Sequence, residues 1–157
     1  MSRVEVSIVI AAPAEEVWDF AMDPQSTLDW VTIVRAVNDA DDGPLREGFR
    51  MEQTLALRGV RFRVRWRLVE LEAPSFARWE GRGPAHSTAI IEDRLTPQDD
   101  GTRFHYSNEF RAPFGPLGVV ASRAVVGGMP EKEATASLSR LKAILEGRHG
   151  DGAREDG

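Results

Sequence analysis

Apolar and polar positions change period along the chain, and the changes mark out its elements. Val4, Val6, Ile8 and Ile10 alternate with Glu5 and Ser7, the two-residue period of a strand buried on one face. At Pro13 the period lengthens: Val17, Phe20 and Ala21 recur at helical spacing behind Glu15 and Glu16. Proline is favoured at a first helical position, and carboxylates are favoured beside the N-terminal dipole. This short helix is expected to end near Asp23, because the residue before Pro24 is driven out of helical geometry. Gln25 to Asp29 offer a second helical turn before Trp30.

From Val31 onward six strands are expected. They are separated at Asp41-Asp42-Gly43-Pro44, Arg58-Gly59, Ala73-Pro74-Ser75, Gly83-Pro84 and Pro97 to Gly101, whose residues accept positive φ or preset a turn. Such short connections leave no room for crossover helices, so the sheet is expected to be antiparallel. Beyond Ala112-Pro113-Phe114-Gly115-Pro116, helical spacing of Ala134, Leu138, Leu141 and Leu145 predicts a long C-terminal helix begun by Pro130. Gly127-Gly128 just before it combine backbone freedom with the break: one reading is a simple loop between two helices, the other that residues 116–128 move as a lid. The domain is read as residues 1–147, with the glycine-rich, charged segment 148–157 as a flexible tail. One sheet with one helix to cover its apolar face is an α+β arrangement.

Composition narrows the classes without naming an activity. At 157 residues, 41% hydrophobic and 29% charged, the chain has the size and balance of one globular domain. A net charge of −5 argues against a nucleic-acid partner, which needs concentrated positive charge. The absence of cysteine excludes disulfides, thiolate metal sites and a cysteine nucleophile. No apolar run reaches the ~18 residues of a spanning helix, and Arg3 and Glu5 interrupt what a signal peptide keeps apolar. The expectation is a cytoplasmic protein with no membrane insertion.

The chain resembles the START-like polyketide cyclase/dehydrase and lipid-transport superfamily. The resemblance rests on residues 10–20, Ile-Ala-Ala-Pro-Ala-Glu-Glu-Val-Trp-Asp-Phe, on Asp23-Pro24 and Trp30, on Gly101-Thr102, and on Leu138, Leu141-Lys142 and Leu145-Glu146. It covers about residues 3–147. It implies the helix-grip fold: a seven-stranded curved antiparallel sheet around a long C-terminal helix, two short helices between strands 1 and 2, and a hydrophobic cavity between sheet and helix. The superfamily holds cyclases, carriers and binding proteins, so the fold alone does not choose among them.

Strand faces indicate what would line such a cavity. Val60, Phe62, Val64, Trp66 and Leu68 alternate with Arg61, Arg63, Arg65 and Arg67; before them Phe49, Met51, Gln53, Leu55 and Leu57 alternate with charged or polar residues. The apolar sets are expected inward and the arginines in water, unless a bulge after Gly59 reverses the register and turns the arginines into the cavity. On later strands the less charged faces carry Trp79, then Ile91 and Asp93, then Tyr106 and Asn108. Together with Trp30, these aromatic and apolar walls and the polar set Gln53, Asp93, Tyr106 and Asn108 fit a ligand cavity. The plainer alternative has Tyr106 reaching solvent at the rim and Gln53 bonding Asn108 or local backbone.

Catalytic signals are weak. His86, His105 and His149 form no metal-ligand spacing, and no nucleophile elbow or phosphate loop is present, so neither metal nor cofactor is expected. Asp93 is the acid/base candidate, with Tyr106 or Asn108 placed to bond an enolate oxygen; the structural alternative pairs Asp93 with Arg82 or Arg94. The leading reading is a binder of a hydrophobic small molecule, polyketide-like, aromatic or lipid/quinone-like. Two alternatives stand beside it. One is a cyclase that promotes aldol cyclisation and dehydration of a poly-β-ketone beside a polyketide synthase partner; the other is a partner-interaction module, which requires an exposed apolar patch. The pocket arginine implied for the superfamily's cyclases has no match by motif, and oligomeric state is not legible.

Overall fold

The computed structural model describes residues 2–111 and 130–155. Strand β1 (Ser2–Ile10) leads into helix α1 (Ala14–Ala21), a 3-10 turn (Pro24–Ser26) and helix α2 (Thr27–Trp30). Six strands follow: β2 (Val34–Asn38), β3 (Arg50–Leu57), β4 (Val60–Glu72), β5 (Phe76–Arg82), β6 (Thr88–Gln98) and β7 (Gly101–Arg111). All pair antiparallel in the order β1-β7-β6-β5-β4-β3-β2, giving the expected α+β arrangement of a curled seven-stranded sheet with a C-terminal helix. Because β1 and β2 lie at opposite edges, the α1–α2 connection must cross the whole sheet.

Local chemistry explains these elements. The β3–β4 hairpin turns on Arg58 (φ 53°) and Gly59 (φ 79°), two consecutive left-handed residues of the kind that match hairpin twist and favour glycine. Pro13 and Pro130 each stand one residue ahead of a helix rather than inside it. Their carbonyls accept from Val17 N at 3.0 Å and Ala134 N at 2.9 Å, so each opens the first helical turn. Asp23 caps the turn at Pro24 by accepting from Gln25 N at 3.1 Å.

Helix α3 (Glu131–Glu155) buries Ala134, Leu138, Leu141 and Leu145 and is tied down in its first turns and at its middle. Ser137 Oγ accepts from Thr32 N at 3.0 Å, and Thr32 Oγ1 donates to Glu133 Oε2. Further along, Lys142 Nζ donates to Val9 O at 2.8 Å and Glu146 accepts from Ala11 N at 3.1 Å. The helical backbone continues past Gly147, so residues 148–155, expected as a tail, prolong the helix. Elongation fixes one residue per hydrogen bond and needs no new nucleus. The expected lid, residues 116–128 with Gly127-Gly128, lies outside the described residues.

Register settles which face of β4 points inward. Phe62, Val64, Trp66 and Leu68 are buried, whereas Arg61, Arg63, Arg65 and Arg67 are exposed. The bulge in this strand falls between Leu68 and Glu70, after the stripe, and therefore cannot reverse it. Among the described residues no helix is long and apolar enough to cross a membrane, no cluster of three potential ligands could hold a metal ion, and Leu28 is the one exposed large hydrophobic residue.

Candidate functional site

The concave face of the sheet, α1–α2 and the first turns of α3 enclose an apolar cavity. Its volume is about 130 Å³, close to that of an apolar cavity that takes up benzene and below the about 300–1,000 Å³ of drug-sized sites. β4 contributes Phe62, Val64 and Trp66, β3 contributes Met51, Gln53, Leu55 and Leu57, and β5 adds Trp79. Ile91, Asp93, Tyr106 and Asn108 come from β6 and β7, and Trp30 from α2.

Phe49 is the exception among the residues expected there. It is buried but precedes β3, where it meets Trp79 edge-on with ring centroids 6.2 Å apart. It therefore backs the wall instead of lining it. Sequence reasoning missed Met22 and Thr27, Ser87 after β5, and Ala134, Ser137 and Leu138 on α3. The helical period of Ala134 and Leu138 signalled burial, but no local pattern distinguishes packing against a sheet from facing a space above it.

One wall is held by a hydrogen-bonded chain. Trp66 Nε1 donates to Gln53 Oε1 at 2.9 Å, and Gln53 Nε2 donates to Thr27 Oγ1 at 3.2 Å. Gln53 is thus a partnered structural amide that orients the Trp66 indole and ties β3 to α2, not a partner of Asn108. The Trp66 ring lies over Gly81, where an added Cβ would sit 2.5 Å from its Cζ3 atom. This missing side chain creates the space that the indole occupies.

The opposite corner is polar and incompletely paired. Asp93 and Tyr106 are direct cross-strand neighbours, as are Ile91 and Asn108, which places all three polar side chains on one patch of the concave face. Asp93 is 7% exposed, and no described residue hydrogen-bonds its carboxyl. Arg94 lies on the outer face with its guanidinium 4.6 Å from the centre of the Phe76 ring, and Arg82 is exposed on the same outer face. The expected alternative of an Asp93 ion pair is therefore overturned: alternation along a strand places neighbouring residues on opposite faces. Burial raises the Asp93 carboxyl from 3.8 to about 7.

Tyr106 is buried as well, not at the rim. Burial, then the Asp93 charge, push its hydroxyl above the ordinary tyrosine range, partly opposed by a hydrogen bond with Asn108. Asn108 Oδ1 and Trp30 Nε1 are buried without partners among the described residues. Trp30 also packs edge-on against Phe104 at 6.1 Å, so it is both packing and cavity wall. His86 is exposed in the β5–β6 turn.

Comparisons with known proteins agree with this architecture. A profile of the family described as "Polyketide cyclase / dehydrase and lipid transport" matches residues 1–146. Uncharacterized protein Rv1546 of Mycobacterium tuberculosis is 27% identical over 129 residues, covering 81% of this chain and 90% of that protein. Toxin Rv0910 of the same organism is 23% identical over 149 residues, 94% of this chain and all of that one. The crystal structure of TTHA0849 from Thermus thermophilus superposes with a TM-score of 0.73 at 17% identity, covering 93% of this chain and 98% of that one.

Proposed function

Since the chain belongs to the polyketide cyclase/dehydrase and lipid-transport family, we propose that it binds a small flat hydrophobic molecule between the sheet and α3. The observation that carries this reading is the cavity itself: apolar on most of its surface, walled by the indoles of Trp30, Trp66 and Trp79, and sized for a small ring system. Flat aromatic walls gain most from flat ligands, and the few inward polar groups fix orientation.

Because three of the four tryptophans face the cavity, their fluorescence reports on occupancy. Titration with naphthalene is expected to quench emission with one-to-one saturation and a dissociation constant on the order of tens of micromolar, given the efficiency of small ligands. Extraction of the purified protein followed by mass spectrometry is expected to yield an apolar metabolite. A cavity that takes up neither naphthalene nor any extractable molecule overturns the reading.

A reaction is the second reading, and the buried Asp93 carboxyl beside Tyr106, without a partner among the described residues, is the observation that favours it. A carboxyl that titrates near neutrality suits proton abstraction next to a carbonyl, with Tyr106 at the developing oxygen. With a polyketide synthase partner, Asp93→Asn and Tyr106→Phe are expected to change the spectrum of cyclised products. Identical products from wild type and from both folded variants exclude this role.

A further inference from the structure

The convex face of the sheet carries a field of positive charge that binding in the cavity leaves unused. Arg61, Arg63, Arg65 and Arg67 stand exposed along β4, about 6.6 Å apart at a strand rise of about 3.3 Å. Arg50 lies directly across from Arg67, and Arg82 directly across from Arg65. Like charges opposite one another on neighbouring strands destabilise a sheet, and anions laid over them remove that cost. Two carboxylates interrupt the field: Glu52 pairs with Arg65 at 3.8 Å, and Glu80 lies across from Arg67. Arg61 and Arg63 have no ion pair among the described residues.

The same chain carries a complementary surface. Glu15 and Asp19 are one turn apart on α1, about 6 Å along its axis, and Asp23 follows just past its end. With Asp29 of α2 they line one shallow cleft, and all four are exposed. One cation shares the cleft: Arg148, whose guanidinium lies 4.5 Å from the centre of the Phe20 ring. Leu28, 42% exposed, stands next to Asp29. Since α1 and α2 cover the concave side of the sheet and the arginines stand on the convex side, the two surfaces cannot meet within one molecule. We propose that they meet between copies: the arginine face of one molecule docks on the α1–α2 shelf of the next. The carboxylate row then lies along an arginine row of nearly the same period, and arginine stems cover Leu28. Such a contact is heterologous and propagates head to tail until a ring closes. A bilayer or a nucleic-acid duplex presents anions alone and would meet Glu52 and Glu80 as repulsion, whereas this shelf also offers Arg148. Each copy carries a net charge of −5, but at about 0.1 M salt charges more than about 10 Å apart are screened, so the facing patches prevail.

Sedimentation velocity tests this at protein concentrations up to on the order of 1 mM, in about 0.1 M and about 1 M salt, between which the screening length falls from about 10 to about 3 Å. The sedimentation coefficient is expected to rise with concentration in the lower salt, and association to weaken about tenfold or more in the higher. Two variants then separate the surfaces: one carries Arg63→Gln, Arg65→Gln and Arg67→Gln, the other Glu15→Gln, Asp19→Asn and Asp29→Asn. Each alone should associate about tenfold more weakly than wild type, or less. Their equimolar mixture should form dimers and nothing larger, because one intact shelf meets one intact arginine face and both outer ends are blank. Arg63→Gln and Asp19→Asn singly, with smaller losses, serve if a triple variant does not fold.

Wild type that stays monomeric in both salts overturns the proposal, as does association that the higher salt leaves unchanged. A mixture that associates no better than either variant alone shows that the two surfaces are not each other's partners. Monomeric wild type that binds phosphatidylserine–phosphatidylcholine vesicles or a DNA duplex through Arg63, Arg65 and Arg67 overturns it in favour of that anionic partner.

Discussion

Asp93→Asn is expected to stabilise the fold at pH 8 by on the order of 4 kcal/mol, with the gain shrinking to nothing below about pH 4. The reason is desolvation: the carboxyl is 7% exposed, has no described partner, and titrates at about 7 against an ordinary 3.8. Below the unfolded-state value both states hold the proton, and the residue costs nothing. As the pH rises toward 7 the unfolded chain releases the proton and the folded chain retains it. Stability therefore falls at about 1.4 kcal/mol for each pH unit, and above 7 both states are ionised and the loss is complete. Asparagine has no charge to desolvate.

Urea unfolding of both proteins from pH 4 to pH 9 measures the difference, and a melting temperature raised by roughly 8–16 °C at pH 8 would accompany it. An equal difference at every pH would mean that the Asp93 charge is compensated, and the unpaired corner would lose its basis. A residue that destabilises the empty protein at neutral pH is the pattern expected where a site is kept for use and not for packing.

Gly101→Ala is expected to have a large effect of the opposite sign, a destabilisation of about 3 kcal/mol or more. An added Cβ would overlap Ile10 O and lie 3.2 Å from Ile10 C and 3.3 Å from Ala11 Cα. These are backbone atoms at the end of β1, fixed by pairing of Ile10 with Thr102 and by donation from Thr102 Oγ1 to Ala12 O at 2.7 Å. No rotamer change relieves such a clash, so the cost is expected at or beyond the upper end of ordinary overpacking, about 1–3 kcal/mol. Gly147→Ala gives the contrast. Gly147 is helical with nothing within 4 Å of an added Cβ, so alanine should stabilise by about 0.5–1 kcal/mol. If both substitutions shift the unfolding midpoint equally, close approach at Gly101 is not what glycine provides there.

Both effects depend on juxtapositions that vary in how far the chain announces them. Period-two alternation made β1, β3, β4 and β7 legible because one buried face and one wet face force apolar and polar residues to alternate. Met51, Gln53, Phe62, Val64 and Trp66, inward by the same alternation, lie along the cavity together with Trp30. Phe49 continues that register one residue ahead of β3, its carbonyl accepting from Leu68 N at 2.9 Å, and its ring packs edge-on against Trp79 behind the wall. Asp93 was visible as a carboxylate on an apolar face, but its lack of a partner among the described residues was not. An ion pair with Arg94 was excluded only when the strand placed the two side chains on opposite sides of the sheet.

The sequence by itself therefore determined the order of elements, the inward face of each long strand and the helix that covers them, because periodicity is a local record of burial. Tertiary structure alone decided the pairings across distance. It gave Gln53 to Trp66 and Thr27, pressed Ile10 against Gly101, let the Trp66 indole occupy the space over Gly81, and left Asn108 Oδ1 and Trp30 Nε1 without partners among the described residues. Such matches join residues many positions apart, and hydrogen bonds and steric contacts are set by distance and angle in space, which no local spacing along the chain encodes.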